Sequence, residues 1–344
     1  MNERPSVMEG AYFPGDSTVE LREVAVPTPG PRQVLLRTGA SGICGSDLKL
    51  AYRQHMARGT RTYRNVVGGH EPSGRIIEAG ENCARFSAGD RVLVYHISGC
   101  GNCRPCRAGY MIMCQAESRR AYGGQRDGGH APFMLVDEST CIPLPDQLSY
   151  VDGSFIACGF GTVYEAFLRL QPNGCDRVLI VGLGPVGAAA AMVARLFGVA
   201  EVFGIEPSEE RLCWSRSLGL FTEVAASIEG LDGMRFEVAL DCSGTSGGRR
   251  QALESLCEWG RCGLVGEGGL LEVEASDLVL HKQATITGSW VTSLPNMEQL
   301  TVLLAESDWR PEQLVTARYP LHRVSEAYER ADAGDSGKVC LVFD

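Results

Sequence analysis

Residues 176–206, DRVLIVGLGPVGAAAAMVARLFGVAEVFGIE, carry the clearest structural signal in the sequence. An apolar run leads into a glycine-rich turn, an alanine-rich segment follows, and a second apolar run ends at Glu206. Short apolar runs bounded by turn residues predict buried strands, and a long run of good helix formers predicts a helix. The stretch is therefore predicted to form strand, turn, helix and strand in a parallel sheet.

The turn contains Gly182, Gly184 and Gly187 in the spacing G-x-G-x-x-G, with Pro185 and Val186 between the last two. A strand before this motif and a helix after it are the context of a dinucleotide-binding loop. Gly182 permits the tight turn, Gly184 lets a pyrophosphate approach the backbone, and Gly187 lets the helix pack closely on the strand. We therefore predict a dinucleotide site, with the phosphates at the helix N-terminus.

Glu206 stands at the end of the second strand, about 20 residues after the glycine motif. A carboxylate there accepts hydrogen bonds from the adenine ribose and repels a 2′-phosphate, which favours NAD over NADP. Arg211 is a complication, because a nearby arginine could accommodate that phosphate. We expect Arg211 to lie on the outer face of the next helix.

Strand and helix signals alternate downstream, at FEVALDCSG, GRCGLVGEGG and ATITGSW, and indicate a doubly wound parallel sheet. The first part of the chain instead shows short strands between turn residues, which is typical of a barrel-like β domain. The predicted divisions are a first domain at 1–152, a nucleotide-binding domain at 153–289, and a return to the first domain at 290–344. The fold class is α/β.

Composition excludes several classes of function. The chain has 344 residues and a net charge of −10, which argues against nucleic acid as a partner because phosphate binding requires a basic face. No apolar run approaches the roughly 18–20 residues of a membrane span. The opening residues, MNERPSVMEG, contain no apolar signal core. We therefore expect a cytoplasmic protein with no membrane partner.

Four cysteines, Cys100, Cys103, Cys106 and Cys114, lie in the segment 95–117 with the spacing C-x2-C-x2-C-x7-C. Clustered cysteines in a reducing compartment are metal ligands more often than disulfides. Four thiolates suit zinc, and an iron–sulfur cluster is the alternative. Because four protein ligands leave no open coordination position, we predict a structural zinc lobe at 95–117.

A second pair of motifs, SGICGSD and GGHEPSG, contains Cys44 and His70. A thiolate and an imidazole are two of the three protein ligands that a catalytic zinc uses, which leaves a position for substrate. Either residue alone is more often a core or surface residue than a ligand.

These motifs together resemble the zinc-dependent medium-chain dehydrogenases, a family that includes alcohol, polyol and threonine dehydrogenases. The resemblance covers nearly the whole chain, in the order GICGSD, GGHEPSG, GDRV, the four-cysteine lobe, CGFGTVYEA, GLGPVG, DCSG and GSW. It implies an irregular β-barrel (GroES-like) catalytic domain and a Rossmann domain, with the active site in the cleft between them.

The resemblance also implies two zinc ions per chain, one catalytic and one structural. Cys44, His70 and Cys158 would be ligands of the catalytic zinc, and Glu71 the carboxylate that can take or release a coordination position. Cys158 follows the alcohol-dehydrogenase pattern, whereas polyol dehydrogenases usually carry glutamate there. Asp47 resembles the acid that fixes the ligand histidine.

Ser46 resembles the hydroxyl that passes the alcohol proton onward. Lys49 stands where many relatives carry a histidine that completes the relay. A lysine can do so if burial or a cationic neighbour lowers its pKa, and relay through water is the alternative. Thr162 and Val265 are expected to contact the cofactor, and Tyr52, His96, Phe160 and Trp290 to line the substrate pocket. The segment 49–64 is basic, with Arg53, Arg58, Arg61 and Arg64, and could receive an anionic group of the substrate or be a solvated face.

The predicted activity is hydride transfer between a secondary alcohol (a polyol, amino alcohol or sugar-like compound) and NAD, which gives the ketone. The small-molecule alcohol or ketone is the expected partner. One alternative is an NADPH-dependent carbonyl reductase, and an alternative of another class is a non-catalytic NAD-binding redox sensor or structural subunit. ATITGSW resembles the sheet-edge strand through which family members pair, so we expect a homodimer or homotetramer.

Overall fold

The computed structural model describes residues 4–56, 62–335 and 337–344. These residues form two compact units. The first contains Met1–Cys158, Ser293–Ala333 and Lys338–Asp344, and the second contains Gly159–Thr292 and Gly334–Gly337. The chain thus leaves the first unit after Cys158, returns to it at Ser293, and leaves it again briefly at Gly334–Gly337.

The N-terminal part of the first unit is built mainly from short strands. Their bounds are β1 Val7–Tyr12, β2 Glu20–Ala25, β3 Gln33–Ile43, β4 Glu71–Ala79, β5 Arg91–Val94, β6 Ile97–Ser98, β7 Arg120–Ala121, β8 Phe133–Asp137 and β9 Cys141–Pro143. The helices are short: α1 Gly45–Asp47, α2 Arg104–Arg107 and α3 Tyr150–Phe155. Strands β1 and β2 pair antiparallel and form a hairpin of their own.

The second unit contains a six-stranded parallel sheet. Its strands are β10 Arg177–Val181, β11 Glu201–Ile205, β12 Glu223–Ala225, β13 Phe236–Asp241, β14 Leu256–Leu264 and β15 Thr285–Gly288. The helices are α4 Gly161–Leu170, α5 Pro185–Leu196, α6 Glu209–Ser217 and α7 Ser246–Glu254. The spatial order β12-β11-β10-β13-β14-β15 places the first strand at the centre, which confirms the doubly wound sheet.

The returning chain adds α8 Leu294–Glu306, β16 Val315–Tyr319, α9 Val324–Ala333 and β17 Lys338–Val342 to the first unit. Strand β17 pairs antiparallel with β3, and the larger sheet runs β16-β17-β3-β4-β5-β9, with β8 also paired to β3. Apolar side chains from β3, β4, β5 and β8 meet inside this curved sheet and form its core. The last strand of the chain therefore lies beside the strands that carry the first predicted metal ligands.

Within the described ranges, no helix is long and apolar enough to cross a membrane.

Candidate metal and cofactor sites

Strand pairing brings Cys44 next to His70 and Glu71. Strands β3 and β4 are antiparallel, with Gly42 opposite Glu71, so the end of β3 and the start of β4 lie side by side. Cys44 follows β3 directly, and His70 directly precedes β4. Two motifs that are 26 residues apart in sequence, at 44 and 70, therefore form one site.

Asp47 fixes both of these segments. Its Oδ2 accepts a hydrogen bond from the Cys44 backbone N–H at 2.9 Å, and its Oδ1 lies 2.7 Å from His70 Nδ1. Burial opposes a charge on His70, but the adjacent carboxylate outweighs it and raises the pKa of His70 well above its usual value. Since Nδ1–H donates to Asp47, a metal ion that replaces the proton on Nε2 would bind the lone pair of that nitrogen. Ser46 Oγ lies 3.4 Å from Nε2.

Cys158 lies in a turn of π-helix, Ile156–Phe160, and its side chain is close to those of Cys44 and His70. His96 anchors this turn, because its Nδ1–H donates to the Ala157 carbonyl at 3.0 Å. The His96 ring also packs edge-on against His70, with 5.2 Å between ring centroids. Burial lowers the pKa of His96 to about 3, so the ring is neutral. His96, predicted as a pocket wall, thus also holds the peptide that precedes Cys158.

The ligand atoms of Cys44, His70, Glu71 and Cys158 all lie within 4.8 Å of one another. A hydrogen bond from Cys158 lowers the pKa of Cys44 well below its usual value, and the same contact raises the pKa of Cys158. Glu71 Oε1 is buried without a hydrogen-bond partner among the described residues, an arrangement that a cation would satisfy. Thiolate, imidazole and carboxylate are the ligands that zinc prefers, so these residues fit a zinc ion.

Lys338 is a residue of this site that the sequence analysis missed. It is the first residue of β17, and its ammonium group forms a buried ion pair with Glu71 Oε2, with the two side chains 3% and 0% exposed. The pair reaches across Gly42, where an added Cβ would stand 2.3 Å from Glu71 Oε2 and 2.9 Å from Lys338 Cε. Burial raises the pKa of Glu71 to about 7, against the opposing effect of Lys338. The sequence feature that could have indicated Lys338 is a single lysine at the start of an apolar strand, in a chain that has only three lysines.

The four cysteines of the lobe converge as well. The sulfur atoms of Cys100, Cys103, Cys106 and Cys114 all lie within 4.8 Å of one another. The Cys103 backbone N–H donates to Cys100 Sγ at 3.4 Å, and such backbone bonds lower the pKa of Cys100 to about 6. Gly99 must be glycine, because an added Cβ would lie 2.5 Å from Cys106 Sγ. Four sulfur ligands on one loop fit a tetrahedral zinc.

The glycine motif has the geometry of a phosphate-binding loop. Gly182 has φ +89°, and a Cβ on Gly187 would lie 2.0 Å from the Gly182 carbonyl oxygen, so both positions require glycine. At Gly184 the nearest atom to an added Cβ is Arg211 Cζ, at 3.7 Å. Helix α5 starts at Pro185, and Val186 and Gly187 lie in its first turn. The open space at Gly184 and the helix N-terminus fit a dinucleotide pyrophosphate.

Arg211 does not lie on the outer face of its helix, and that expectation was wrong. Its Nη1 lies 3.5 Å from Glu206 Oε2, and its guanidinium faces Gly184. Glu206 is 4% exposed, and its carboxylate accepts hydrogen bonds from the backbone N–H groups of Leu183 at 2.9 Å and Ser208 at 3.1 Å. The buried carboxylate attracts the arginine inward. Arg211 Nε is buried without a hydrogen-bond partner in the described part of the chain.

The other predicted residues occupy varied positions. Lys49 is exposed on the turn of π-helix Leu48–Tyr52, so burial, one of the two conditions given for proton relay by a lysine, is not met. Tyr52 is 3% exposed and packs on Tyr328 in the core of the first unit, and its place in the substrate pocket stays a prediction. In the second unit Phe160 is buried and Trp290 half-buried.

Two predicted cofactor contacts flank the parallel sheet. Thr162 lies at the start of α4, where its carbonyl accepts a hydrogen bond from Ser289 Oγ at 3.0 Å. Val265 directly follows β14, and its N–H donates to the Asp241 carbonyl at 3.0 Å. Both positions are on the second unit, as a role in cofactor binding requires.

The basic segment 49–64 is only partly described, because Arg58 and Arg61 lie outside the described residues. Arg53 is paired with Asp332, at 2.6 Å from Nε to Oδ1. Its charge is therefore compensated by α9, which weakens the interpretation of this segment as an anion-binding surface.

Comparison with known proteins adds independent evidence. Residues 30–146 match the family described as alcohol dehydrogenase GroES-like domain, and residues 185–306 match zinc-binding dehydrogenase. The uncharacterized zinc-type alcohol dehydrogenase-like protein YphC of Escherichia coli K12 is 47% identical, over 98% of this chain and 99% of its own. An L-threonine 3-dehydrogenase of Saccharopolyspora erythraea is 31% identical, over 94% and 95%.

A cobalt- and zinc-bound thermostable alcohol dehydrogenase from Pyrobaculum aerophilum has a similar structure. Its TM-score is 0.85 at 25% identity, with 98% of this chain and all of that chain covered. The fold class, which combines a GroES-like domain and a doubly wound parallel sheet, is thus confirmed. The chain belongs to the zinc-dependent medium-chain dehydrogenase family.

Proposed function

We propose that the protein is a zinc-dependent dehydrogenase that oxidises a secondary alcohol with NAD and gives the ketone. The observation that carries the proposal is the convergence of Cys44, His70, Glu71 and Cys158, with all four ligand atoms within 4.8 Å. Family membership supports the reaction class. The threonine dehydrogenase relative supports a substrate such as an amino alcohol, and a sorbitol dehydrogenase at 29% identity supports a polyol.

In the proposed mechanism Cys44, His70 and Cys158 would hold the catalytic zinc, with Glu71 beside it. The ion would supply Lewis-acid chemistry that makes the alkoxide of the substrate accessible near neutral pH. Asp47 keeps His70 in the tautomer with a proton on Nδ1, which leaves Nε2 to coordinate. Ser46, whose Oγ lies 3.4 Å from His70 Nε2, would relay the alcohol proton by accepting it at Oγ while releasing its own hydroxyl proton to water.

The cofactor is proposed to be NAD, held by the loop of Gly182, Gly184 and Gly187, with Glu206 on the adenine ribose. A carboxylate at this place disfavours a 2′-phosphate. The position of Arg211 favours a second candidate function, an NADPH-dependent carbonyl reductase, because its guanidinium lies beside Glu206 and faces the loop. The ratio of kcat/KM for NAD and NADP decides between them.

We also propose a structural zinc on the four cysteines of the lobe, and a homodimer or homotetramer. The lobe packs on the start of α8, where the Leu294 N–H donates to the Gly109 carbonyl at 3.0 Å. Strand β15 is the last strand of its sheet, and no strand of the described residues pairs with its outer edge. An open edge of this kind can pair with a second copy of the chain. Light scattering in solution measures the order of the oligomer.

The experiment that tests the proposed function combines zinc content by mass spectrometry with NAD reduction on a panel of secondary alcohols, polyols and amino alcohols. Wild type is expected to hold about two zinc ions per chain, one in each four-ligand cluster, and Cys158→Ala about one, with turnover lost. Cys175→Ala is the matched control, because that cysteine is exposed and outside both clusters. One zinc in wild type and in Cys158→Ala alike would overturn the catalytic metal site.

A further inference from the structure

A second histidine, His130, lies directly beneath the loop that carries His70. The tripeptide Gly-Gly-His occurs twice, at 68–70 and at 128–130, and the two copies pack against each other. The N–H groups of Gly129 and His130 donate to the carbonyls of Gly69 at 2.8 Å and Gly68 at 3.0 Å. One copy presents a predicted metal ligand, and the other supports it.

The His130 ring fills the space under Gly69. An added Cβ on Gly69 would lie 2.2 Å from His130 Nδ1, and Gly69 has φ +84°, a conformation that glycine adopts without strain. The imidazole therefore contacts the backbone immediately before His70, and any shift of the ring changes the path of that backbone.

Both ring nitrogens of His130 are held in place. Nδ1 lies 2.9 Å from Ser41 Oγ, and Nε2 lies 2.9 Å from Tyr328 Oη. All three side chains are fully buried. Burial lowers the pKa of His130 to about 4, so the ring is neutral and has one donor and one acceptor nitrogen. Two hydrogen bonds to a neutral imidazole restrain both its position and its rotation.

Packing alone does not require this polar group. Phe13 and Tyr328, which belong to an apolar cluster, meet the imidazole edge-on. A phenylalanine would contribute the same apolar contacts without the need to satisfy two nitrogens, and buried polar groups are costly unless they are paired. The hydrogen bonds give the ring a fixed orientation, which a phenylalanine would not have.

We propose that His130 is a positioning residue of the catalytic metal site, whose imidazole, held by Ser41 and Tyr328, supports Gly69 and so fixes the direction from which His70 reaches the metal. This inference rests on the proposed function, because it assumes that His70 is a ligand. His130 touches neither metal nor substrate and acts through the Gly69–His70 peptide.

The test measures the zinc affinity of each site separately, by competition with a chelator. Cys158→Ala lacks the catalytic site and Cys103→Ala lacks the lobe site, so each variant shows which zinc ion the chelator removes from the other site. His130→Phe keeps the ring and deletes both hydrogen bonds, and Tyr328→Phe deletes one hydroxyl. In both variants the affinity of the catalytic site is expected to fall about tenfold, as for other residues that orient a ligand, while the affinity of the four-cysteine lobe stays unchanged.

Tyr63→Phe is the matched control. Tyr63 belongs to the same buried cluster, and its hydroxyl donates to the Val66 carbonyl at 2.8 Å rather than to His130. This variant is expected to leave both zinc affinities unchanged.

Two results would overturn the proposal. One is a catalytic-site affinity within about twofold of wild type in both His130→Phe and Tyr328→Phe, well short of the expected change. The other is an equal loss from both zinc sites, which would show a general effect on folding. If His130→Phe does not fold, Tyr328→Phe decides alone. If the wild-type protein binds only one zinc ion per chain, the proposed function is refuted rather than the role of His130, so the experiment distinguishes the two failures.

Discussion

The buried ion pair of Lys338 and Glu71 gives the sharpest prediction. Lys338→Met removes the ammonium group and keeps a side chain of similar length. Glu71 then stands in the barrel unit with neither oxygen paired, because its Oε1 has no hydrogen-bond partner among the described residues. Lys338 also lies 4.6 Å from the centre of the Phe155 ring, a contact that the variant loses as a cation–π interaction.

The size of the effect follows from burial. The two side chains are 3% and 0% exposed, so solvent screens the pair very little. Breaking a buried pair by removing one partner costs about 3–5 kcal/mol, because the remaining charge is unpaired. Glu71 limits that cost by taking up a proton. Its pKa of about 7 rises further once Lys338 no longer opposes the effect of burial.

The loss should therefore depend on pH. At pH 6 Glu71 is largely protonated before the substitution, whereas at pH 8 it is ionised and needs its partner. Because the pKa of Glu71 is raised from 4.5 in the unfolded chain to about 7 in the folded protein, wild-type stability falls as pH rises from about 4.5 to 7. In the variant the folded pKa is higher still, so stability continues to fall above pH 7. We expect a loss of about 3 kcal/mol at pH 8, or roughly 5 °C in Tm, and a smaller loss at pH 6.

The assay is thermal unfolding at both pH values of wild type, Lys338→Met, Glu71→Gln and the double variant, with zinc content measured in parallel. The double variant replaces the ion pair by two neutral side chains, and such replacements are often nearly neutral. It should therefore be more stable than Lys338→Met. Additive losses in the double variant, or a loss that is independent of pH, would refute this account of the pair.

Three further predictions concern other parts of the molecule. Arg211→Ala is expected to reduce kcat/KM for NADP roughly tenfold, which is the effect of losing one charge-assisted hydrogen bond, and to reduce kcat/KM for NAD by less. Equal losses with both cofactors would count against a contact between Arg211 and the 2′-phosphate. Cys103→Ala is expected to lose the zinc of the lobe and lower Tm by several degrees, roughly as for other disrupted structural sites, whereas unchanged metal content would exclude the lobe as a zinc site. Wild-type stability is expected to fall as pH drops from 6.5 towards 4, because His130 takes up a proton at its usual pKa of 6.5 when unfolded and at about 4 when folded. Denaturant unfolding at several pH values should show that the free energy of unfolding of His130→Phe changes by about 3 kcal/mol less than that of wild type over this pH range. The same pH dependence in both proteins would contradict the prediction.

The local chemistry of the chain was readable from sequence. Gly182 is required by its positive φ and Gly187 by the Gly182 carbonyl five residues before it, so the spacing G-x-G-x-x-G between a strand and a helix predicts the loop directly. The four cysteines of the lobe lie on one short loop, and their spacing alone predicts that they converge. Cys44 and His70 were assigned through resemblance, and antiparallel pairing of β3 with β4 places them together.

The orientation of Arg211 was predicted wrongly although its partner, Glu206, is only five residues away, because a helix pattern alone does not show that a buried carboxylate will attract the side chain inward. Other contacts were not predicted because they join residues that lie far apart in sequence. Tyr52 packs on Tyr328 from α9, for example. Strand β17 returns from the C-terminal end, so nothing near Lys338 in sequence shows that Glu71 is its partner.

The sequence by itself determined the family, the parallel sheet and the two groups of candidate metal ligands, because each depends on residue types at short spacing or in a fixed order. Only the tertiary structure showed that Lys338 pairs with Glu71 and that His130 supports Gly69. Both contacts join segments that are separated by many residues. They form because the strand register brings these segments together and because Gly42 and Gly69 have no side chain that would block the contact. Burial then makes such contacts energetically important, since charges and polar groups removed from water must find partners within the protein.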